Sequence, residues 1–121
     1  MKLKLHTEIV IDSCHHLEGY NGKCSNLHGH SWLIELWFEG DSIFKDKVGI
    51  LVDFGIVKDL KNTIDHRNLN EIFFINPTAE NMTEYIYDYI KCKINKNIKV
   101  KVKVHETVIG KSTWCEGGDF Q

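Results

Sequence analysis

At 121 residues the chain is long enough for one domain with a buried core, yet short for a deep cleft of its own, a size that favours a site shared between subunits. A formal net charge of −2 argues against nucleic-acid binding as its main business, and 42% hydrophobic residues without an apolar run of transmembrane length speak for a globular chain that does not span a membrane. Four cysteines (Cys14, Cys24, Cys92 and Cys115) are too sparse for a disulfide scaffold. The opening Met1–Glu8 alternates charge with apolarity, unlike a signal or transit peptide, so reduced thiols in the cytoplasm are expected.

In chain order, residues 2–12 read as a strand, with Leu3, Leu5, Thr7, Ile9 and Ile11 on one face. Cys14-His15-His16-Leu17 and a turn-forming loop, residues 18–23, lead to Cys24. A second strand spans about 30–39, with Trp32, Ile34, Leu36 and Phe38 on its apolar face. Leu33 and Trp37 make its other face unusually apolar too, which suggests helices on one side and a partner subunit on the other. Residues 49–52 read as a short extended piece, and Asp53 is placed to cap a helix over about 54–63 that buries Phe54, Val57 and Leu60. A polar loop carries Asp65 and His66. Thr78 is the expected N-cap of a second helix, about 79–94, whose stripe is Ala79, Met82, Ile86, Tyr89 and Ile90. Residues 98–106 alternate cleanly as a strand, and 113–117 form a short last one.

Chemistry concentrates in Cys24-Ser25-Asn26-Leu27-His28-Gly29-His30. On a strand His28 and His30 face the same way and form a bidentate chelate. Divalent zinc favours nitrogen and sulfur ligands in a tetrahedron, and His15 or His16 can supply a third imidazole, leaving one position open. A purely structural Cys-His-His zinc site, or histidines that merely hydrogen-bond at the surface, are the competing readings. The alternation of the 98–106 strand puts Glu106 on the apolar side, either as a frayed end reaching water or as an anchor for a ligand's N–H groups.

Six short motifs then coincide in order: Ser13-Cys14-His15-His16-Leu17, Cys24-x3-His28-Gly29-His30, Val52-Asp53-Phe54, Asp65-His66-x2-Leu69-Asn70, Pro77-Thr78-x-Glu80-Asn81 and Glu106-Thr107. Together they resemble the 6-pyruvoyl-tetrahydropterin synthase family, and within it the bacterial 6-carboxy-tetrahydropterin synthases of queuosine biosynthesis. The resemblance implies an α+β tunnelling fold over a single domain, residues 1–121. That fold is a four-stranded antiparallel sheet with two helices on one face, ordered β-β-α-α-β-β and assembled into an oligomeric barrel. The family suggests a homohexamer, a dimer of trimers, with active sites between subunits.

For individual residues the resemblance implies Zn2+ on His15, His28 and His30, with His15 preferred to His16 because Leu17 stands two residues after it. It implies proton transfer by Cys24, Asp65 and His66, and a grip on the pterin by Glu106, with Thr107, Thr78 and Glu80 as further substrate contacts. Helix capping alone also accounts for Thr78 and Glu80, loop capping for Asp65 and His66, and an inert thiol or a fourth zinc ligand for Cys24. The implied substrate is 7,8-dihydroneopterin triphosphate, and the implied products are 6-carboxy-tetrahydropterin, acetaldehyde and triphosphate. The alternatives are the sister 6-pyruvoyl activity and a non-catalytic, zinc-stabilised pterin-binding module.

Overall fold

The computed structural model describes residues 1–106 and 113–121. Four strands, β1 (Lys2–His15), β2 (His28–Asp41), β3 (Lys99–His105) and β4 (Trp114–Gly118), pair in sequence order into one open antiparallel sheet. The connection between β2 and β3 carries helices α1 (Gly55–Ile64) and α2 (Ala79–Lys91). Both cover the same face, α2 lying across β3 and β4 and α1 beside β1.

Period-two alternation selects that face. Ile11, Trp32, Ile34, Leu36, Phe38, Val100, Val102 and Val104 point into the core, where they meet Val57, Leu60 and Ile64 of α1 and Met82, Ile86 and Ile90 of α2. Each such side chain contributes about 1.5–3 kcal/mol when removed from water. The same phase carries beyond the apolar residues to Ser13 and His15 on β1, and to His28 and His30 on β2. The sheet therefore delivers its histidines to the helix-covered side.

Several boundaries differ from the sequence expectation. Strand β1 runs past residue 12 to His15 and β2 begins at His28, because the ladder continues through Ser13↔His30 to His15↔His28 after the apolar pattern has ended. Residues 49–52 form no strand. The Asp46 carboxylate accepts from the amides of Val48 and Ile50 at 2.9 and 3.0 Å, and Gly49 takes a φ of 90°, so a local turn satisfies this backbone. Phe54 sits at the N-cap position of α1, 40% exposed, and Ile64 takes the buried place instead. Asp53 still caps, accepting from the Gly55 amide at 2.9 Å. Helix α2 stops at Lys91, short of residue 94, and its N-cap is Thr78 as expected, with Oγ1 accepting from the Asn81 amide at 3.0 Å.

Candidate metal centre

At one end of the sheet, β1, β2 and the residue after β3 bring His15, His28, His30 and Glu106 together, with one ligand atom of each within 4.8 Å of all the others. Register explains the convergence. His15 lies opposite His28 and Ser13 opposite His30, while His105 is opposite Leu33, which sets Glu106 beside the same end of β2. His15 Nε2 is 3.0 Å from His28 Nε2, and Glu106 Oε1 is 3.6 Å from His15 Nε2 and 3.3 Å from His30 Nε2. His15 is 1% exposed, against a ceiling of Trp32, whose ring meets both His15 and His30 edge-on.

The outer ring nitrogens fix the tautomers. His15 Nδ1 lies 2.7 Å from the Pro77 carbonyl and His28 Nδ1 2.7 Å from the Asn26 carbonyl. A carbonyl only accepts, so each Nδ1 carries the proton and donates it, and each Nε2 presents a lone pair. The two lone pairs then face one another across 3.0 Å, with a carboxylate oxygen close by. His30 Nε2 is buried and has no hydrogen-bond partner among the described residues. Such a set of acceptors repels itself unless a cation sits among them, and a metal ion fits that need. Burial pushes the His15 pKa down; the neighbouring His28 and His30 charges add to this, against the opposing effects of the Pro77 carbonyl and Glu106. Burial likewise lowers His30, outweighing Glu106. Both rings are thus kept neutral, the ligating form.

The remaining expected residues are distributed as follows. His16 turns outward, its Nε2 3.6 Å from Glu18, so the choice between His15 and His16 falls on His15 by strand phase. Cys24 occupies a short 3-10 turn and is half-buried; its carbonyl accepts from the Leu17 amide at 2.8 Å, and its thiol stands outside the converging ligand set. Asp65 and His66 lie in the loop after α1. His66 has a φ of 54°, and its Nε2 is 3.6 Å from Asp65 Oδ2 while Asp65 Oδ1 accepts from the Asp12 amide at 2.9 Å. His66 opens, with His30 and Arg67, onto a surface cavity of about 660 Å³ whose lining does not include Cys24. Thr78 caps α2, Glu80 is an exposed first-turn acid, and Thr107 lies outside the described residues.

The sequence reading missed the groups that aim the histidines. Asn70 clamps the His16 backbone by accepting from its amide at 2.9 Å and donating to its carbonyl at 3.0 Å. Asn76 does the same to Glu18, at 2.8 Å each way, and its own carbonyl accepts from Asn81. These amides lock the segment carrying the Pro77 carbonyl against the end of β1. The only signal for them in sequence was their position inside or beside the short motifs.

The 6-pyruvoyl tetrahydropterin synthase family model matches residues 4–116. The chain belongs to this family. It is 30% identical to the 6-carboxy-5,6,7,8-tetrahydropterin synthase of Rickettsia felis over 132 aligned positions, covering 87% of this chain and 94% of that one. It is also 37% identical to the dihydroneopterin monophosphate aldolase of Pyrococcus furiosus, over 62% of this chain and 65% of the relative. The 6-pyruvoyl tetrahydropterin synthase of Caenorhabditis elegans superposes with a TM-score of 0.72 at 23% identity, covering 97% of this chain and 96% of that one. The architecture is accordingly the tunnelling fold of that family. No helix among the described residues is long and apolar enough to cross a membrane.

Proposed function

We propose that this chain is a zinc-dependent lyase, a 6-carboxy-5,6,7,8-tetrahydropterin synthase of queuosine biosynthesis. It converts 7,8-dihydroneopterin triphosphate to 6-carboxy-tetrahydropterin and releases acetaldehyde and triphosphate. The observation that carries the reading is the convergence of three imidazole Nε2 atoms on one point, two of them with the tautomer fixed from outside. Three imidazoles with a fourth position for water or substrate suit zinc in its catalytic mode. Relatives that bear the carboxy-synthase name over nearly their whole length support a pterin reaction.

Zinc held by His15, His28 and His30 would supply Lewis acidity toward the oxygens of the substrate side chain. Cys24, on its short turn beside the metal end of the sheet, is the base in this reading, a thiol whose acidity rises next to a cation. Asp65, with Oδ2 3.6 Å from His66 Nε2, orients that imidazole. The His66 surface and Cys24 are not joined by a hydrogen bond or ion pair among the described residues. In this reading they cooperate across neighbouring subunits, in the homohexamer the family suggests. Glu106 accepts the ring N–H and exocyclic amine of the pterin, a bidentate pairing for which a carboxylate is suited. Thr78, Glu80 and Thr107 are assigned to the same substrate envelope.

The test is to incubate the purified protein with 7,8-dihydroneopterin triphosphate and measure acetaldehyde together with the pterin products. Acetaldehyde with 6-carboxy-tetrahydropterin is expected. Triphosphate with 6-pyruvoyl-tetrahydropterin and no acetaldehyde would establish the sister activity, which the same residues can serve. A protein that binds pterin without turnover, with or without Cys24, would be a binding module instead.

A further inference from the structure

On the face of the sheet away from the helices, His6, Glu8 and Glu35 each offer a ligand atom within 4.8 Å of the other two. The register makes the arrangement deliberate in electrostatic terms: Glu8 stands directly opposite Glu35 across β1 and β2. Like charges at directly opposed strand positions are destabilising, and Glu8 makes no ion pair with any described residue. Glu35 is different. Its Oε1 lies 3.2 Å from His6 Nε2 and its Oε2 2.8 Å from His105 Nε2, so two imidazoles from the flanking strands grip one carboxylate. His6 is oriented in turn by stacking on Trp37, with ring centroids 4.8 Å apart.

We propose that His6, Glu8 and Glu35 form a second divalent-cation site, distinct from the histidine centre, with His105 as the positioning residue for Glu35. One imidazole and two carboxylates, open to solvent on one side, form a mixed nitrogen–oxygen donor set that suits a first-row cation such as zinc or cobalt, with water completing the shell. A cation here would replace the hydrogen bond between His6 Nε2 and Glu35 Oε1, taking both atoms as ligands, and would neutralise the opposed Glu8 and Glu35 charges that the strand pairing forces together. His105 holds the Glu35 carboxylate from behind, as outer-shell partners hold ligating groups in metal sites. Since His6 and Glu8 are exposed, this site should bind more weakly than the buried histidine centre.

The experiment uses full-length protein stripped by a chelator, dialysed to equilibrium against rising free zinc, and analysed for bound metal. The parent should take up a tight first equivalent and a weaker second one. His6→Ala and Glu8→Gln, both surface changes, should lose the second and keep the first, whereas His28→Ala should lose the first and keep the second. His105→Gln should weaken the second equivalent by roughly 10- to 100-fold while the first is unaffected. A parent that saturates at one equivalent overturns the proposal. So does a second equivalent that survives both His6→Ala and Glu8→Gln, because it then sits elsewhere. Neither result bears on turnover at the first centre.

Discussion

At the residue scale, the decisive fact is that burial disfavours protonation of His15, and that two backbone carbonyls turn the Nε2 atoms of His15 and His28 toward the same point. His15→Ala, His28→Ala or His30→Ala should each lose zinc, while the outward-facing His16→Ala should retain it; elemental analysis decides, and full zinc in His15→Ala would overturn that assignment. The depressed His15 and His30 pKa values also set the pH response of the metal-free protein. As pH falls below the ordinary histidine value of about 6.5, the unfolded chain takes up protons that the folded site refuses, so stability declines. Thermal melts of the stripped protein should therefore show Tm dropping from pH 8 toward pH 5, and a flat profile would contradict the neutral-ligand reading. Glu106 has two roles within reach, as a fourth ligand and as the pterin anchor. Under the anchor role Glu106→Gln keeps its zinc but turns one acceptor into a donor. Pterin binding should then weaken by about 30- to 800-fold, from the 2–4 kcal/mol of a mismatched charged hydrogen bond. Loss of zinc with unchanged pterin affinity would instead make Glu106 a ligand.

At the element scale, the helices matter for what their ends hold. Thr78 caps α2 immediately after Pro77, whose carbonyl orients His15, so the cap stiffens the candidate metal site as well as the helix. Thr78→Ala should cost about 1 kcal/mol in denaturant unfolding, and Thr78→Ser should recover most of it. Strand β4 has a stricter requirement. Gly118 has a φ of 144°, and a Cβ there would lie 2.2 Å from the Val100 carbonyl oxygen and 2.7 Å from the Lys101 Cα, both backbone atoms that cannot swing aside. Gly118→Ala should therefore cost more than the lost cap, about 1–3 kcal/mol or above, in the range of overpacked sites. An unfolding midpoint equal to the parent's would mean that the β4 end relaxes freely.

For the whole molecule, the sheet is open. Strands β1 and β4 are its edges, and Val10 of β1, on the face away from the helices, is 45% exposed. The loop after α1 bonds the β1 edge at Asp12 and Cys14, and the rest of that edge and the β4 edge invite another chain; copies of this one joining edge to edge would close the barrel that the family suggests. Under the proposed function, this assembly is where Cys24 of one protomer would meet Asp65 and His66 of another. Sedimentation should give a hexamer of the 14.1 kDa chain, and a monomer active at assay concentration would refute the shared-site reading.

Sequence by itself determined the alternation in 2–12, 30–39 and 98–106, the capping of α2 by Thr78, and the concentration of ligands in 24–30, because these depend on local periodicity and side-chain chemistry. It also placed Glu106 on the apolar side of its strand, where the structure finds it facing the histidines. Only the tertiary structure decided between His15 and His16 on physical grounds, since the ladder that extends β1 to His15 is a pairing with β2 and leaves no local pattern. The Asn70 and Asn76 clamps, the Pro77 carbonyl on His15 and the Glu8–Glu35 opposition were likewise beyond local reading. Each joins residues far apart in the chain through strand register or loop packing, and register is a property of two segments together.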